Sequence, residues 1–363
     1  MTSTVHGMLD AQQTADALPY RLLALEIEAL LQDPSVDVPP RIVQALHGGG
    51  SLFVMPAADA RVAITKLISF IPGNAQRGLP TIQGDIVVFD VQTGQRIALL
   101  DGPTVTARRT AAVSLLAAQK LAPRRDGALL IVGAGVQGKA HLEAFHAGLG
   151  VQEVRVASRH AASAEALVSH AKALGLQARR VMDPNAELAN CSLVVSTTPA
   201  QQVVLTSLPR SDAFVAAVGA FTPRMVEWSA EVCQQLARTG TLVVSTTPAQ
   251  QVVLTAPPRS DAFVAAVGAF TPRMVEWSAD VCQQLSRTGT LVVDTRDADH
   301  EAGDLLQAGV DVSALPTLAD VVGQTSVWEE ATRPTGGPVF FKSCGWAGWD
   351  LAAARLSLRN HLR

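Results

Sequence analysis

Strong charge of either sign is missing from this chain of 363 residues: 29 Lys and Arg stand against 32 Asp and Glu, a formal net charge of −3 at pH 7. A nucleic-acid or anionic-membrane partner would call for clustered Lys and Arg, so no such partner is expected. No apolar run approaches the roughly 18 residues that a membrane span requires. The N-terminal stretch has neither the basic start nor the apolar segment of an export signal, and a cytoplasmic protein is expected. Cysteine is scarce. Cys191, Cys233, Cys282 and Cys344 are the whole complement, none in C-x-x-C spacing, which fits a reducing compartment and offers no local metal motif. Apolar residues, at 48%, are plentiful. Domains commonly run about 100 to 200 residues, so two domains and a small-molecule substrate are the expectation.

One segment occurs twice. Residues 193–241 are followed at once by residues 242–290, which differ only as Ser207 against Ala256, Leu208 against Pro257, Glu231 against Asp280 and Ala237 against Ser286. Cys233 and Cys282 are thus the same residue counted twice. Solenoid repeats drift in sequence and need about three units to bury a continuous core, so two near-clones do not announce a repeat fold. Removing one copy leaves 314 residues that read without a break. The function therefore belongs to that parent sequence, and the extra copy is an addition to it.

Residues 10–19 and 20–31 carry helical patterns, the latter with Leu22, Leu23, Leu25, Ile27 and Leu30. Short apolar runs at 51–56, 62–70, 82–90 and 96–100, parted by Gly, Pro or Asn, read as an antiparallel sheet. An Ala- and Leu-rich helix is expected over 106–121, ended by Ala122-Pro123. Beyond it, strands at 128–132, 153–157 and 191–196 alternate with helical stretches, the pattern of a parallel sheet covered by helices. The copies add strands at 213–218, 241–244, 262–267 and 290–294. A strand at 336–342 and a helix at 346–358 close the chain, and this tail is expected to return to the first domain. The expected division is 1–121 with 322–363, and 122–321.

Gly133-Ala-Gly135-Val136-Gln137-Gly138 follows an apolar strand and precedes a helix. Glycines there permit a tight turn and close approach of backbone to a pyrophosphate, which the free N–H groups of the helix start would meet. The next strand ends about 20 residues on, where a ribose contact belongs, in Ala157-Ser158-Arg159. No carboxylate stands there to repel a 2′-phosphate, and Arg159 could bind one in bidentate fashion. NADPH is the expected cofactor, with NADH as the alternative. Ser196-Thr197 and Val218-Gly219 end the following strands and are expected at the nicotinamide side.

Three cations adjoin strands or helices: Arg41, Lys66 and Arg109. An ammonium inside the apolar run Val62-Ala-Ile-Thr-Lys66-Leu-Ile either faces solvent or is paired in a cleft, because an unpaired buried charge is costly. Arg108 and Arg109 point about 100° apart on a helix, so at most one should face a site.

The runs KLISFIPGNAQRGLPTIQG (66–84), TARRTAA (106–112) and VGAGVQG (132–138) resemble the ornithine cyclodeaminase and mu-crystallin family, across nearly the whole parent. The resemblance implies an α/β protein: a Rossmann-type NAD(P)-binding domain plus a second, mixed α/β domain for substrate and homodimerisation. It implies that Arg41, Lys66 and Arg109 contact the substrate carboxylate, with Lys66 able to protonate the ring nitrogen and Arg108 facing outward. Ornithine cyclodeaminases place an Asp where this chain has Phe221, repeated as Phe270, and Phe cannot accept that hydrogen bond. The chain is more similar to reductases of delta-1-pyrroline-2-carboxylate and delta-1-piperideine-2-carboxylate, which form L-proline and L-pipecolate. The alternatives are an ornithine cyclodeaminase, an alanine or opine-type dehydrogenase, a non-catalytic NADPH-binding protein like mu-crystallin, or a variant inactivated by the duplication. Because one strand alone can adjoin the glycine-loop strand, the first copy is expected in that place and 242–290 to be displaced.

Overall fold

The computed structural model describes residues 7–39, 41–47, 49–219, 226–239, 242–245, 252, 254–258, 260, 263–266, 272–293, 296, 298–317, 339–342 and 346–361. The α/β chain divides into two compact units, Met1–Leu116 with Trp346–Arg363, and Ala117–Gly345. The expected boundary at 321/322 lies outside the described residues.

In the first unit, β1 (Met8–Leu9), β2 (Ile42–Leu46), β3 (Gly50–Ala58), β4 (Val62–Phe70), β5 (Ile82–Asp90) and β6 (Arg96–Asp101) form one sheet, ordered β1-β6-β5-β4-β3-β2. All neighbours run antiparallel except β1, which is parallel to β6. Strand periodicity puts Val62, Ile64, Lys66 and Ile68 of β4 on the buried face. Against that face pack α2 (Tyr20–Leu31), through Leu23, Ile27 and Leu30, and the C-terminal helix α11 (Gly348–His361), through Leu351, Ala354 and Leu358. Asp10 caps α1 (Ala11–Ala17) by accepting from Gln13 N at 2.8 Å, while Asp10 N donates to Gln13 Oε1 at 3.0 Å, a capping box that fixes where the helix begins. Helix α3 (Gly102–Leu121) starts earlier than its sequence suggests. Asp101 accepts from Thr104 N at 2.8 Å, and Pro103 suits a first turn in which its missing N–H is no loss.

The second unit alternates β7 (Leu129–Val132), α4 (Val136–Leu149), β8 (Glu153–Ala157), α5 (Ala161–Ala173), β9 (Gln177–Arg180), α6 (Asn185–Leu188) and β10 (Leu193–Ser196), then β11 (Phe214–Ala217) and α7 (Ala230–Thr239). These strands form a parallel sheet ordered β11-β10-β7-β8-β9. The first copy therefore supplies the strand beside β7, in register from Leu193 against Leu129 to Ser196 against Val132.

The second copy does not hang off as an appendage. Its strands β12 (Leu242–Ser245) and β13 (Phe263–Ala266), with α8 (Ala279–Thr288), repeat the pairing of β10 and β11 in the same register. They build a separate parallel sheet, β12-β13-β15-β14, with β14 (Thr290–Val293) and β15 (Val339–Lys342). The short helices α9 (Ala298–Glu301) and α10 (Gly303–Gln307) pack with it around fully buried Trp277. The tail strand thus departs from expectation: β15 pairs with β13 and β14 instead of returning to the first unit. Its run Val339-Phe340-Phe341 is continuously apolar, the sequence of a parallel strand covered on both faces rather than of an alternating, half-solvated one.

Candidate functional site

Each unit holds its own group of candidate residues. In the second unit a cleft of about 1010 Å³ opens at the carboxyl ends of β7, β8 and β10. Gly133 and Gly135 form its floor, Ser158, Arg159 and His160 one side, and the stretch from Thr197 to Val204 the other. The turn at Gly133 needs glycine, since φ is 114° and a Cβ would stand 2.7 Å from Thr197 Oγ1. Gly138 is buried behind it, where a Cβ would lie 2.0 Å from Gly133 O; this glycine lets α4 press onto the turn. Gly135 caps α4 without any side-chain hydrogen bond, Val136 is exposed, and buried Gln137 Oε1 has no partner among the described residues. An uncapped helix start facing a cleft suits an anionic group. Arg159 lies exposed at the rim, its Nη2 3.4 Å from His160 Nε2.

Ser196, Val218 and Gly219 are not on the cleft surface but immediately behind its wall. Val218 N donates to Ser196 O at 2.8 Å, tying the ends of β11 and β10 together. Gly219 is required by a neighbour, because its Cβ would meet Thr198 N at 2.2 Å. Sequence reasoning missed the residue that joins them. Buried Glu227 accepts from Ser196 Oγ at 3.0 Å, Thr198 N at 2.7 Å, Thr198 Oγ1 at 3.0 Å and Gly219 N at 3.0 Å. Burial pushes its carboxyl above the usual range, while the hydrogen bonds from Thr198, Ser196 and Gly219 pull the other way. Thr197 Oγ1 donates to Gly133 O at 3.0 Å and so fastens the wall to the glycine turn.

In the first unit the centre is Lys66, 3% exposed on the inner face of β4. Its Nζ donates to both oxygens of fully buried Asp350, at 3.1 and 3.3 Å. Arg109 Nε, on α3, stands 3.6 Å from Asp350 Oδ1; it is buried and has no hydrogen-bond acceptor among the described residues. Burial drives the Lys66 ammonium below its ordinary value, with Asp350 opposing that fall and Arg109 adding to it. The solvent-facing alternative for Lys66 is thereby removed. Asp350 was not foreseen, although an ammonium in phase with Val62, Ile64 and Ile68 demanded a counter-charge. Arg41 stands just before β2, partly buried. Arg108 does not face outward: its Nε donates to Leu18 O at 2.8 Å and its guanidinium lies 4.0 Å from the centre of the Tyr20 ring. The 100° between neighbours on α3 sends Arg109 to Asp350 and leaves Arg108 against the start of α2, where a cation–π contact and a carbonyl replace water.

Cys191, Cys233 and Cys282 are in no disulfide among the described residues, and burial pushes the Cys191 thiol up to about 11, which disfavours its thiolate. Among the described residues, no group of three or more His, Cys, Asp or Glu could hold a metal ion, and no helix is long and apolar enough to cross a membrane. Phe221, Phe270 and Cys344 lie outside the described residues.

The chain is similar to known proteins in sequence and in fold. The model of the ornithine cyclodeaminase/mu-crystallin family matches residues 5–248. Delta(1)-pyrroline-2-carboxylate reductase 1 of Burkholderia multivorans is 33% identical over 96% of this chain and 94% of its own length. The Delta(1)-pyrroline-2-carboxylate/Delta(1)-piperideine-2-carboxylate reductase of Azospirillum brasilense is also 33% identical, with the same coverage. The fold is similar to that of the Thermococcus litoralis Delta(1)-pyrroline-2-carboxylate reductase, solved with NADH and L-proline: TM-score 0.63, 20% identity, 98% of this chain and 97% of that one.

Proposed function

The chain belongs to the ornithine cyclodeaminase/mu-crystallin family, and from that premise we propose that it reduces cyclic imino acids, delta-1-pyrroline-2-carboxylate to L-proline and delta-1-piperideine-2-carboxylate to L-pipecolate, with NADPH. One observation carries the reading beyond the family. Among the described residues, Arg109 Nε is a buried donor with no hydrogen-bond acceptor, 3.6 Å from the nearer oxygen of the Lys66–Asp350 pair, and a buried donor whose hydrogen bond is not made costs about 1–3 kcal/mol unless a ligand oxygen takes it. A substrate carboxylate is such an oxygen.

In this reading Arg41 and Arg109 hold the carboxylate and Lys66 serves as the proton source for the ring nitrogen. Asp350 opposes the loss of the Lys66 proton that burial favours, and that proton is the one the ring nitrogen would take. The glycine turn of 133–138 and the uncapped start of α4 would receive a pyrophosphate, Ser158 and Arg159 a 2′-phosphate, and the β10 and β11 ends, with Thr197, Val218 and Gly219, would flank a nicotinamide. When bound, the reduced nicotinamide supplies the hydride that C2 of the imine accepts. Cytoplasmic location and a homodimer accompany this reading, as the composition and the family suggest. Steady-state assays of both imines with NADPH and NADH test it, beside ammonia release from ornithine with NAD. Imine-dependent oxidation of NADPH is expected, and Arg109→Ala should raise KM for the imine by about tenfold or more. Turnover of ornithine alone, or an Arg109→Ala variant with unchanged constants, would overturn it.

A further inference from the structure

The geometry points to Glu227 as the positioning residue of the dinucleotide cleft, the group that holds the wall from Thr197 to Val204 in the shape that receives the cofactor. This rests on the reading that the cleft takes a nicotinamide dinucleotide. Glu227 is 3% exposed, and among the described residues the hydrogen-bond partners of its carboxylate are all neutral: Ser196, Thr198 and the backbone of Gly219. A buried carboxylate held by neutral donors is expensive, and a chain that needed only core packing would put an apolar residue there. Here its acceptor capacity is filled by four donors that converge from the ends of two adjacent strands, an arrangement that fixes both ends relative to each other.

The backbone around Glu227 does the same for the rest of the wall. Val204 N and Leu205 N both donate to Glu227 O, at 2.9 and 2.8 Å, and Val226 N donates to Ala200 O at 2.8 Å. Trp228 Nε1 donates to Ser196 Oγ at 3.1 Å, which sets the hydroxyl to point its own proton at Glu227. Thr197 carries the connection across to the glycine turn. Glu227 itself does not line the cleft, so its influence is through Thr198 and Gly219 rather than by touching a ligand.

The duplication supplies a matched control. Glu276 is the same residue in the second copy, equally buried, with the same local stitch from Leu254 N to its carbonyl at 2.7 Å. Among the described residues its backbone setting differs: Asp304 accepts from the backbone N–H of both Glu276 and Trp277, and β12 pairs with β13 alone, with no glycine-loop strand beside it.

Glu227→Gln and Glu276→Gln in the full-length chain test the assignment. NADPH affinity is read by reduced-nicotinamide fluorescence, with backbone hydrogen exchange over residues 197–205 and steady-state constants alongside. Glu227→Gln replaces an acceptor oxygen by an N–H that faces other donors. It should weaken NADPH binding about tenfold, raise KM for NADPH more than it lowers kcat, and deprotect 197–205. Glu276→Gln should leave NADPH affinity and that exchange as in the wild type. Glu227→Asp keeps the charge but is shorter by one methylene, and should fall between the two; it stands in if Glu227→Gln does not fold. Equal loss in the two Gln variants, or wild-type affinity in Glu227→Gln, would overturn the assignment while leaving the function intact. A wild-type chain that binds no dinucleotide would sink both.

Discussion

The two copies of the 49-residue segment are nearly one sequence, and each folds into the same local object: two parallel strands in identical register, a parallel bridge from Leu205 to Trp228 or from Leu254 to Trp277, and a helix. Their surroundings make them different. The first lies against β7 and carries the wall of the cleft; the second lies against β15 and β14 and carries a core around Trp277. β11 and β12 are the outer strands of the two sheets, close together yet unpaired among the described residues. The order β11-β10-β7-β8-β9 and the order β12-β13-β15-β14 share one strand pair. Merging that pair gives a single sheet of the parent sequence, β9-β8-β7-β10-β11-β15-β14. In this chain each half of such a sheet has its own copy of the shared pair. Which half each copy serves follows from chain order, since the first copy follows β9 and the short α6 and the second runs straight into β14, and short closures cost least entropy.

The comparison can be broken most severely by deletion. Removing 242–290 or 193–241 leaves the same 314 residues apart from the four mild differences, so both products should form the merged sheet, bind NADPH alike and melt in one cooperative transition. Two deletions that differ sharply in melting or binding would mean that the copies are not interchangeable. Next in size are the paired tryptophans. Trp277 is fully buried and Trp228 is 8% exposed, so Trp277→Ala and Trp228→Ala should each cost about 3–5 kcal/mol in denaturant melts. Only Trp228→Ala should also weaken NADPH binding, because its Nε1 orients Ser196 behind the wall.

Acid should separate the sheets. His141 on α4 is fully buried and held neutral by desolvation, its value lowered from 6.5 to about 4. Its folded form binds fewer protons than the unfolded chain, so its contribution is complete above pH 6.5 and lost as pH falls toward 4, by about 3 kcal/mol in all. Hydrogen exchange between those pH values should open the five-stranded sheet ahead of the four-stranded one; the reverse order would dissociate His141 from that loss. The smallest effect belongs to Arg159→Ala, expected to weaken NADPH about tenfold and NADH hardly at all. Equal losses for the two cofactors would remove Arg159 from cofactor choice.

Much of the fold was legible because period and punctuation are local. The alternation of β4, the glycine turn and the strand ends at Arg159 and Ser196 all rest on residues a few positions apart. Asp350 and Glu227 were not legible for the opposite reason. Asp350 meets Lys66 across 284 positions and Glu227 meets Ser196 across 31, and nothing in either local run marks a partner. Arg108 shows the limit within one helix, where a 100° step does not say which neighbour lies on which side.

By itself the sequence determined the elements, the glycine turn and the fact that one segment is present twice, since each is a property of short-range order. Tertiary structure decided which copy adjoins β7, that Lys66 shares a buried carboxylate with Arg109, and that β15 closes the second sheet. Identical residues cannot encode different neighbours; burial, strand pairing and chain connectivity assign them, because each edge strand accepts whichever partner reaches it with the least closure entropy and the most surface removed from water.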